Sequence, residues 1–151
     1  MIENVTFERS SYQPSPMRFE AGTGNIADAV GLGAAIDYVS RIGMETIMAY
    51  EKSLLDYMVA GLQEIRNVRI IGDPRHRAGV VSFVHHKLET EQVGSLLNAE
   101  GIAVRSGHHC SQPALRSFGV ESSVRPSVGL YNTTHDIDRL LDVIRSSPHM
   151  Y

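Results

Sequence analysis

The sequence predicts an α/β fold in which a sheet of three or four strands has helices packed largely on one face. Two observations lead to this fold class. From residue 68 onward, short apolar segments of strand character alternate with segments of helical period. The chain has 151 residues, which is long enough for one domain with a hydrophobic core. We therefore expect residues 26–151 to form a single α/β sandwich domain.

The N-terminal 25 residues differ from the rest in pattern. Residues 2–8 alternate apolar and polar side chains, which predicts a short strand. Residues 9–25 contain Ser, Pro, Arg and Gly without periodicity, which predicts a long irregular loop. We expect residues 1–25 to be an N-terminal strand and loop that precede the domain.

The domain itself is predicted from periodicity and from start and stop signals. Small and apolar residues recur at helical spacing after Ile26, and Gly43 marks a break. Thr90 is the expected N-cap of a later helix that Gly101 ends. The predicted helices cover residues 26–42, 44–65, 91–100, 113–118 and 135–145, and the predicted strands cover 68–71, 79–84, 102–105 and 123–130.

Composition narrows the class of protein. The net charge is −3, which gives no electrostatic case for binding nucleic acid or an anionic membrane. The N-terminus lacks a basic segment followed by an apolar one, so we expect a cytoplasmic protein. Cys110 is the one cysteine, which excludes an internal disulfide. Lys52 and Lys87 are the only two lysines, and this limits any chemistry that needs a lysine amine.

The densest polar cluster surrounds Cys110, in an exposed loop between a predicted strand and a short helix. A cysteine acts as a nucleophile through its thiolate, which nearby cations favour. Arg105, His108 and His109 could provide such surroundings. The alternative is an incidental cysteine beside surface histidines, and the residues alone leave both open. We expect no metal site, because consecutive side chains such as His108 to Cys110 do not converge easily on one ion.

Two further features each allow two interpretations. Arg125 lies among apolar residues in a predicted strand, and it is either an exposed edge residue or a clamp for a carboxylate. Gly22, Thr23, Gly24 and Asn25 precede the helix at Ile26. They could form a site for an anion such as phosphate, or Asn25 could simply cap the helix.

Several stretches together resemble one family. They are RFEAGTGN (18–25), GLGAAIDYVSRIG (31–43), GVVSF (79–83), GIAVRSGHHCSQP (101–113) and Arg125-Pro-Ser with the following Tyr131-Asn132-Thr133. In this order and spacing they resemble the SufS-type cysteine desulfurases. These are class V aminotransferase-fold enzymes that use pyridoxal phosphate (PLP) and include selenocysteine lyases. The resemblance implies the small C-terminal domain of PLP fold type I.

The resemblance also implies roles for particular residues. Cys110 matches the nucleophile that takes sulfur from the cysteine substrate and becomes a persulfide. Arg125 matches the arginine that holds the substrate α-carboxylate. Arg105, His108 and His109 match the flanking loop that positions the cysteine, and we expect them to belong to the substrate-binding site with Arg125. Thr23, with Gly22 in the same AGTGN motif, matches the contact to the PLP phosphate of the neighbouring subunit in a homodimer.

One departure from the family is large. Its PLP forms a Schiff base with a lysine of an N-terminal domain, and that domain has no counterpart here. Lys52 lies within a predicted helix and Lys87 follows a strand, so neither has the local pattern of the cofactor lysine. We expect no PLP covalently bound to this chain and no desulfurase activity from the chain alone. The expected partner is a second copy or a chain that carries the lysine domain, and a sulfur-acceptor protein is possible. The alternatives are a sulfur carrier and a structural or dimerisation module derived from the family.

Overall fold

The computed structural model describes residues 1–147 and divides the chain into two compact units. The first is Met1–Met44, and the second begins at Glu45. The domain division predicted between residues 25 and 26 follows the change from loop to helix and stays a prediction. The last four residues of the predicted domain, 148–151, lie outside the described residues.

The first unit begins with a two-stranded hairpin. Strand β1 (Ile2–Val5) pairs antiparallel with β2 (Ser10–Tyr12), and a 3-10 helix follows at Met17–Phe19. The prediction of an irregular loop over the whole of 9–25 was therefore wrong. The chain reverses because the Thr6 hydroxyl accepts hydrogen bonds from the backbone N–H groups of Glu8 and Arg9, each at 3.2 Å. A strand of three residues is too short to show an alternation of apolar and polar side chains, so no pattern in the sequence predicts β2.

Helix α1 (Ile26–Ile42) confirms the helix predicted over 26–42. It begins where the side chain of Asn25 accepts the backbone N–H of Asp28 at 3.1 Å, which is an ordinary N-cap. It ends at Gly43, whose φ of 92° lies in the region that glycine adopts readily.

The second unit contains a four-stranded antiparallel sheet with the strand order β3-β4-β6-β5. Its strands and helices, in chain order, are α2 (Met44–Gln63, of which the residues from Glu45 belong to this unit), β3 (Val68–Ile71), β4 (Ser82–His85), α3 (Thr90–Ala99), β5 (Arg105–Gly107), α4 (Gln112–Ser117), β6 (Ser123–Arg125) and α5 (Thr134–Ser146). The predicted α/β fold with a sheet of three or four strands is confirmed.

The core lies on one face of this sheet. Phe83 and Val124 are directly opposite each other on β4 and β6, and neither is accessible to solvent. They pack in one cluster with buried side chains of three helices: Leu54, Leu55, Met58 and Leu62 of α2, Val93 and Leu97 of α3, and Ile137, Leu140, Leu141 and Ile144 of α5. Burial of these apolar side chains provides the main driving force for folding of this unit.

Four predicted strands differ in their bounds from the observed ones: the strand predicted over 2–8 ends at Val5, and the other three lie in the second unit. The strand predicted over 102–105 begins only at Arg105, because the N–H of Ile102 donates to the carbonyl of Leu97 at 2.9 Å and keeps the preceding segment at the end of α3. The strand predicted over 123–130 ends at Arg125, since Pro126 has no N–H for the ladder. The strand predicted over 79–84 corresponds to β4, which begins three residues later, at Ser82.

The N-cap of α3 is Glu89 and not the predicted Thr90. The N–H of Glu89 donates to the side-chain oxygen of Gln92 at 2.8 Å, as in a capping box. The Thr90 hydroxyl instead forms a hydrogen bond with the hydroxyl of Ser122. The remaining helix ends are within one or two residues of the predicted ones, an ordinary uncertainty at frayed ends.

Candidate functional site

Cys110 lies in the loop between β5 and α4, and its backbone has an unusual conformation. His109 and Cys110 have φ values of 52° and 54°, and Gly107 has a φ of 121°. Positive φ is uncommon for residues with a Cβ atom and carries an energetic cost. The loop must therefore be held by specific contacts. It presents an exposed cysteine at its tip.

Two histidines provide those contacts. The Nδ1 atom of His108 accepts the N–H of Cys110 at 3.0 Å, and its carbonyl accepts the N–H of Ser111 at 2.9 Å. The Nε2 atom of His109 lies 2.9 Å from the carbonyl oxygen of Ser123. A carbonyl can only accept, so Nε2 of His109 carries the hydrogen. The loop is thus closed on itself by His108 and attached to the start of β6 by His109.

The charge at the site comes from arginines more than from His109. Partial burial lowers the pKa of His109, the hydrogen bond to Ser123 opposes this shift, and the nearby Arg125 and Arg105 add to the lowering. His109 is consequently neutral at neutral pH. The imidazole acts as a hydrogen-bond donor that orients the loop.

Arg105 and Arg125 are directly paired across β5 and β6. Paired residues of adjacent antiparallel strands place their side chains on the same face of the sheet, and like charges directly opposite each other repel. Among the residues that the structure describes, neither guanidinium has an acidic partner. A small anion between them would relieve the repulsion. Arg125 is half-buried on an inner strand, which argues against its interpretation as an exposed edge residue.

Within the first unit, Gly22 has a φ of 72° and Thr23 is exposed. They precede α1, whose first turn contains Asp28. The Asp28 carboxylate accepts the side-chain N–H of Asn25 at 2.5 Å. Asn25 is the helix cap that one interpretation of the sequence expected. The phosphate contact of Thr23 and Gly22 stays a prediction.

Neither lysine suits a Schiff base. Lys52 is exposed on α2, and its amine lies 2.5 Å from the carboxylate of Asp56 one turn later. Lys87 is exposed after β4. A lysine that binds PLP needs an enclosed site in which its amine loses its proton readily. The expectation that no PLP is covalently bound to this chain stays a prediction. Within residues 1–147, no group of three or more His, Cys, Asp or Glu side chains forms a candidate metal site.

The sequence analysis predicted neither the contact of Ser123 with the site nor the burial of His85 elsewhere in the second unit. The Ser123 carbonyl orients His109, and its own hydroxyl is buried without a hydrogen-bond partner among the described residues. His85 is buried under the sheet, where its Nδ1 accepts the N–H groups of Lys87 and Leu88 at 3.3 and 3.1 Å. A carbonyl contact leaves no signal in the sequence. For His85, the alternation of β4 was the available signal, because it places this side chain on the same face as Phe83.

Comparisons with known proteins agree with this fold. The sequence model described as Aminotransferase class-V matches residues 1–140, so the chain belongs to the class-V aminotransferase family. Within that family it is similar to a cysteine desulfurase of Synechococcus elongatus, with 57% identity over 145 residues, or 96% of this chain and 23% of the relative.

Two solved structures are also similar. The apo cysteine desulfurase of Thermococcus onnurineus NA1 superposes with a TM-score of 0.82 at 38% identity, and covers 97% of this chain and 37% of that one. The Escherichia coli cysteine desulfurase CsdA in its S-sulfonic acid form gives a TM-score of 0.84 at 27% identity, with 99% and 37% covered. The chain thus spans from about a quarter to somewhat more than a third of the length of these desulfurases.

Between residues 1 and 147, no helix combines the length and the apolar character that crossing a bilayer requires.

Proposed function

We propose that this chain is the sulfur-accepting part of a cysteine desulfurase, which converts L-cysteine to L-alanine and keeps the sulfur as a persulfide on Cys110. The observation that carries this proposal is the exposed cysteine on the strained loop after β5, together with the pairing of Arg105 and Arg125, which have no acidic partner within residues 1–147. The relatives named as cysteine desulfurases support it.

The paired arginines suit the carboxylate of an amino-acid substrate. A guanidinium presents two parallel N–H groups that match the two oxygens of a carboxylate. Arg125 is half-buried and has fewer competing waters, so we assign it the direct contact, with Arg105 adding charge from the opposite strand. His108 and His109 hold the loop that carries the exposed Cys110, and His109 lies near both arginines.

The proposed reaction balances as a transfer of one sulfur atom. The bond between the substrate β-carbon and its sulfur breaks, and a bond forms between that sulfur and the Cys110 sulfur. The Cys110 thiol becomes a persulfide, and the β-carbon gains a proton to give alanine. When bound, PLP supplies the electron sink that this bond cleavage needs.

Lys52 and Lys87 are both exposed, so we expect neither of them to hold that cofactor. We propose a companion chain that carries the PLP-binding part of the family fold, with Thr23 and Gly22 contacting the phosphate. A homo-oligomer and a downstream sulfur acceptor complete the proposed assembly, in the cytoplasm. On this proposal, the isolated chain is inactive.

A second candidate function is a persulfide carrier that receives sulfur from another protein. The exposure of Cys110 favours it, since a carrier thiol must reach both donor and acceptor. This function requires neither the arginine pair nor a companion with PLP, which separates it from the first.

Alanine formation tests the first proposal. The chain is incubated with PLP and L-cysteine, alone and together with the polypeptide that precedes the matched segment in the Synechococcus elongatus relative. We expect alanine only from the mixture. The variant Cys110→Ser should abolish alanine formation. Arg125→Gln should raise KM for L-cysteine by about tenfold or more, because a charge-assisted pair with the substrate carboxylate is lost.

Arg66→Gln, which changes an exposed arginine outside the site, is the matched control and should leave KM unchanged. Alanine from the isolated chain would contradict the proposal, as would equal KM values for the two arginine variants. Sulfur acceptance by the Arg125→Gln chain from a sulfane donor, without any alanine from the mixture, would favour the carrier.

A further inference from the structure

The loop between β3 and β4 and the C-terminal end of α4 form an open cleft of about 530 Å³ within the second unit. Its lining is mixed, because the apolar side chains of Ile71, Val80 and Phe118 lie beside polar ones that include His76 and Arg77. Phe118 is 48% exposed, so an aromatic edge of the cleft is accessible to solvent. The cleft contains none of the residues assigned to the candidate site around the cysteine.

Two arginines hold the walls of this cleft in place. The guanidinium of Arg77 donates to the carbonyl of Gly72 at 2.9 Å and lies 3.4 Å from the carboxylate of Asp73, and its side chain is only 16% exposed. Two nitrogens of Arg69 donate to the carbonyl of Phe118, at 3.3 and 3.4 Å. Arg77 therefore closes the loop on itself, and Arg69 attaches β3 to the end of α4.

Positive charge is concentrated beside the cleft, although the whole chain is acidic. Residues 69–77 contain three arginines and one aspartate, a net charge of +2, and the total of −3 leaves −5 for the rest of the chain. Arg69 and Arg75 are exposed, and within residues 1–147 neither has an acidic partner. Both are available to attract an anionic group of another molecule.

We propose that this cleft is a docking surface for an acidic segment of a partner protein, in which apolar side chains lie between carboxylates. The carboxylates pair with Arg69 and Arg75, and an apolar side chain covers Phe118. Aromatic and arginine side chains are enriched in protein interfaces, and complementary charge speeds the formation of a complex. The inference does not depend on the proposed function, because it uses other residues.

The distribution of charge favours a protein over a nucleic acid. A nucleic-acid strand carries a negative charge at every phosphate, so the negatively charged remainder of the chain repels it beyond the cleft. An acidic polypeptide can limit its charges to the few residues that face Arg69 and Arg75.

Fluorescence anisotropy tests this inference on the full chain, with a short labelled peptide of glutamates and two leucines as the probe. We expect the peptide to bind at low salt and to bind more weakly as the ionic strength rises. Arg75→Glu should weaken binding by about fivefold or more, because it reverses a charge at the cleft. Arg41→Glu is the matched control, since Arg41 is an exposed arginine of α1 in the first unit. It should change binding by less than about twofold.

A second peptide tests the apolar contact. Phe118→Ala should weaken binding of the leucine peptide by about threefold or more, because less apolar surface is buried. The same substitution should leave unchanged the affinity for a peptide with alanines in place of the leucines. Thermal melts followed by circular dichroism establish that each variant is folded.

Several results overturn the inference. They are no binding of the peptide at low salt, equal affinities for the Arg75 and Arg41 variants, and equally tight binding of a peptide with glutamines in place of the glutamates. A thymidine oligonucleotide that binds more tightly than the peptide, and less tightly to Arg75→Glu, would assign the cleft to a nucleic acid instead. Loss of peptide binding on addition of the polypeptide that precedes the matched segment in the Synechococcus elongatus relative would assign it to the companion chain.

Discussion

The strained loop gives a prediction that is independent of catalysis. Cys110→Gly and Cys110→Ala both remove the thiol, but only glycine tolerates the φ of 54° without strain. The left-handed conformation costs a residue with a Cβ atom about 1–2 kcal/mol. Against this, glycine lowers the free energy of unfolding by about 0.4–1 kcal/mol, because its backbone is freer in the unfolded chain. The difference leaves the glycine variant more stable by about 1 kcal/mol.

Urea unfolding, followed by circular dichroism, measures this difference as a shift in the midpoint at equal slope. For a chain of this length, 1 kcal/mol corresponds to a rise in Tm of about 2–4 °C. Ala114→Gly is the control, because Ala114 is exposed within α4, where glycine destabilises by about 0.5–1 kcal/mol. If glycine at position 110 destabilises as it does at position 114, the conformation of the loop is not the one described.

Three further predictions concern stability and binding. Burial lowers the pKa of His85, so the unfolded chain binds the proton first and the free energy of unfolding should fall as the pH drops below about 6.5. Urea titrations at pH 7.5 and 5.5 should show a smaller difference between the two pH values for His85→Gln than for the wild-type chain, and an equal difference would contradict this. Gly61→Ala should destabilise the chain by about 1–3 kcal/mol, since the new Cβ would lie 2.3 Å from Leu141. Gly33→Ala should stabilise it by about 0.5–1 kcal/mol, since no atom lies within 4 Å of the new Cβ. Shifts in Tm of the same sign for the two variants would refute the described packing. Small carboxylates such as propionate should raise the Tm of the wild-type chain but not that of Arg125→Gln, and an equal rise in both would argue against the anion site.

Much of the second unit could be predicted because its signals are local. Apolar residues recur with helical period in α2 and α5, and the first turn of α5 contains an acidic residue that favours a helix start. The strand Val68–Ile71 was predicted with its observed bounds, since charged and turn-forming residues flank it. These features depend on neighbours in sequence, which a single sequence displays.

The features that were missed depend on contacts between distant residues. The short strand β2 forms because a turn at Thr6 brings it against β1, and α3 begins at Glu89 because Gln92 reaches back to it. The strand after α3 starts late because the carbonyl of Leu97 takes the N–H of Ile102.

The candidate site shows the same division. The residue types around Cys110 suggested a reactive thiol, and the resemblance to a family suggested the roles. The direct pairing of Arg105 with Arg125 followed only from the register of β5 and β6. A two-residue shift of either strand would separate the guanidinium groups, so no spacing along the sequence could have predicted it.

The most direct test of the account is the mass of the chain after exposure to L-cysteine and PLP, with and without the companion polypeptide. The account predicts that Cys110 gains the mass of one sulfur atom only in the presence of the companion, with alanine released in equal amount. A sulfur gain on the isolated chain under the same conditions, or alanine release while Cys110 stays unmodified under single-turnover conditions, would contradict it.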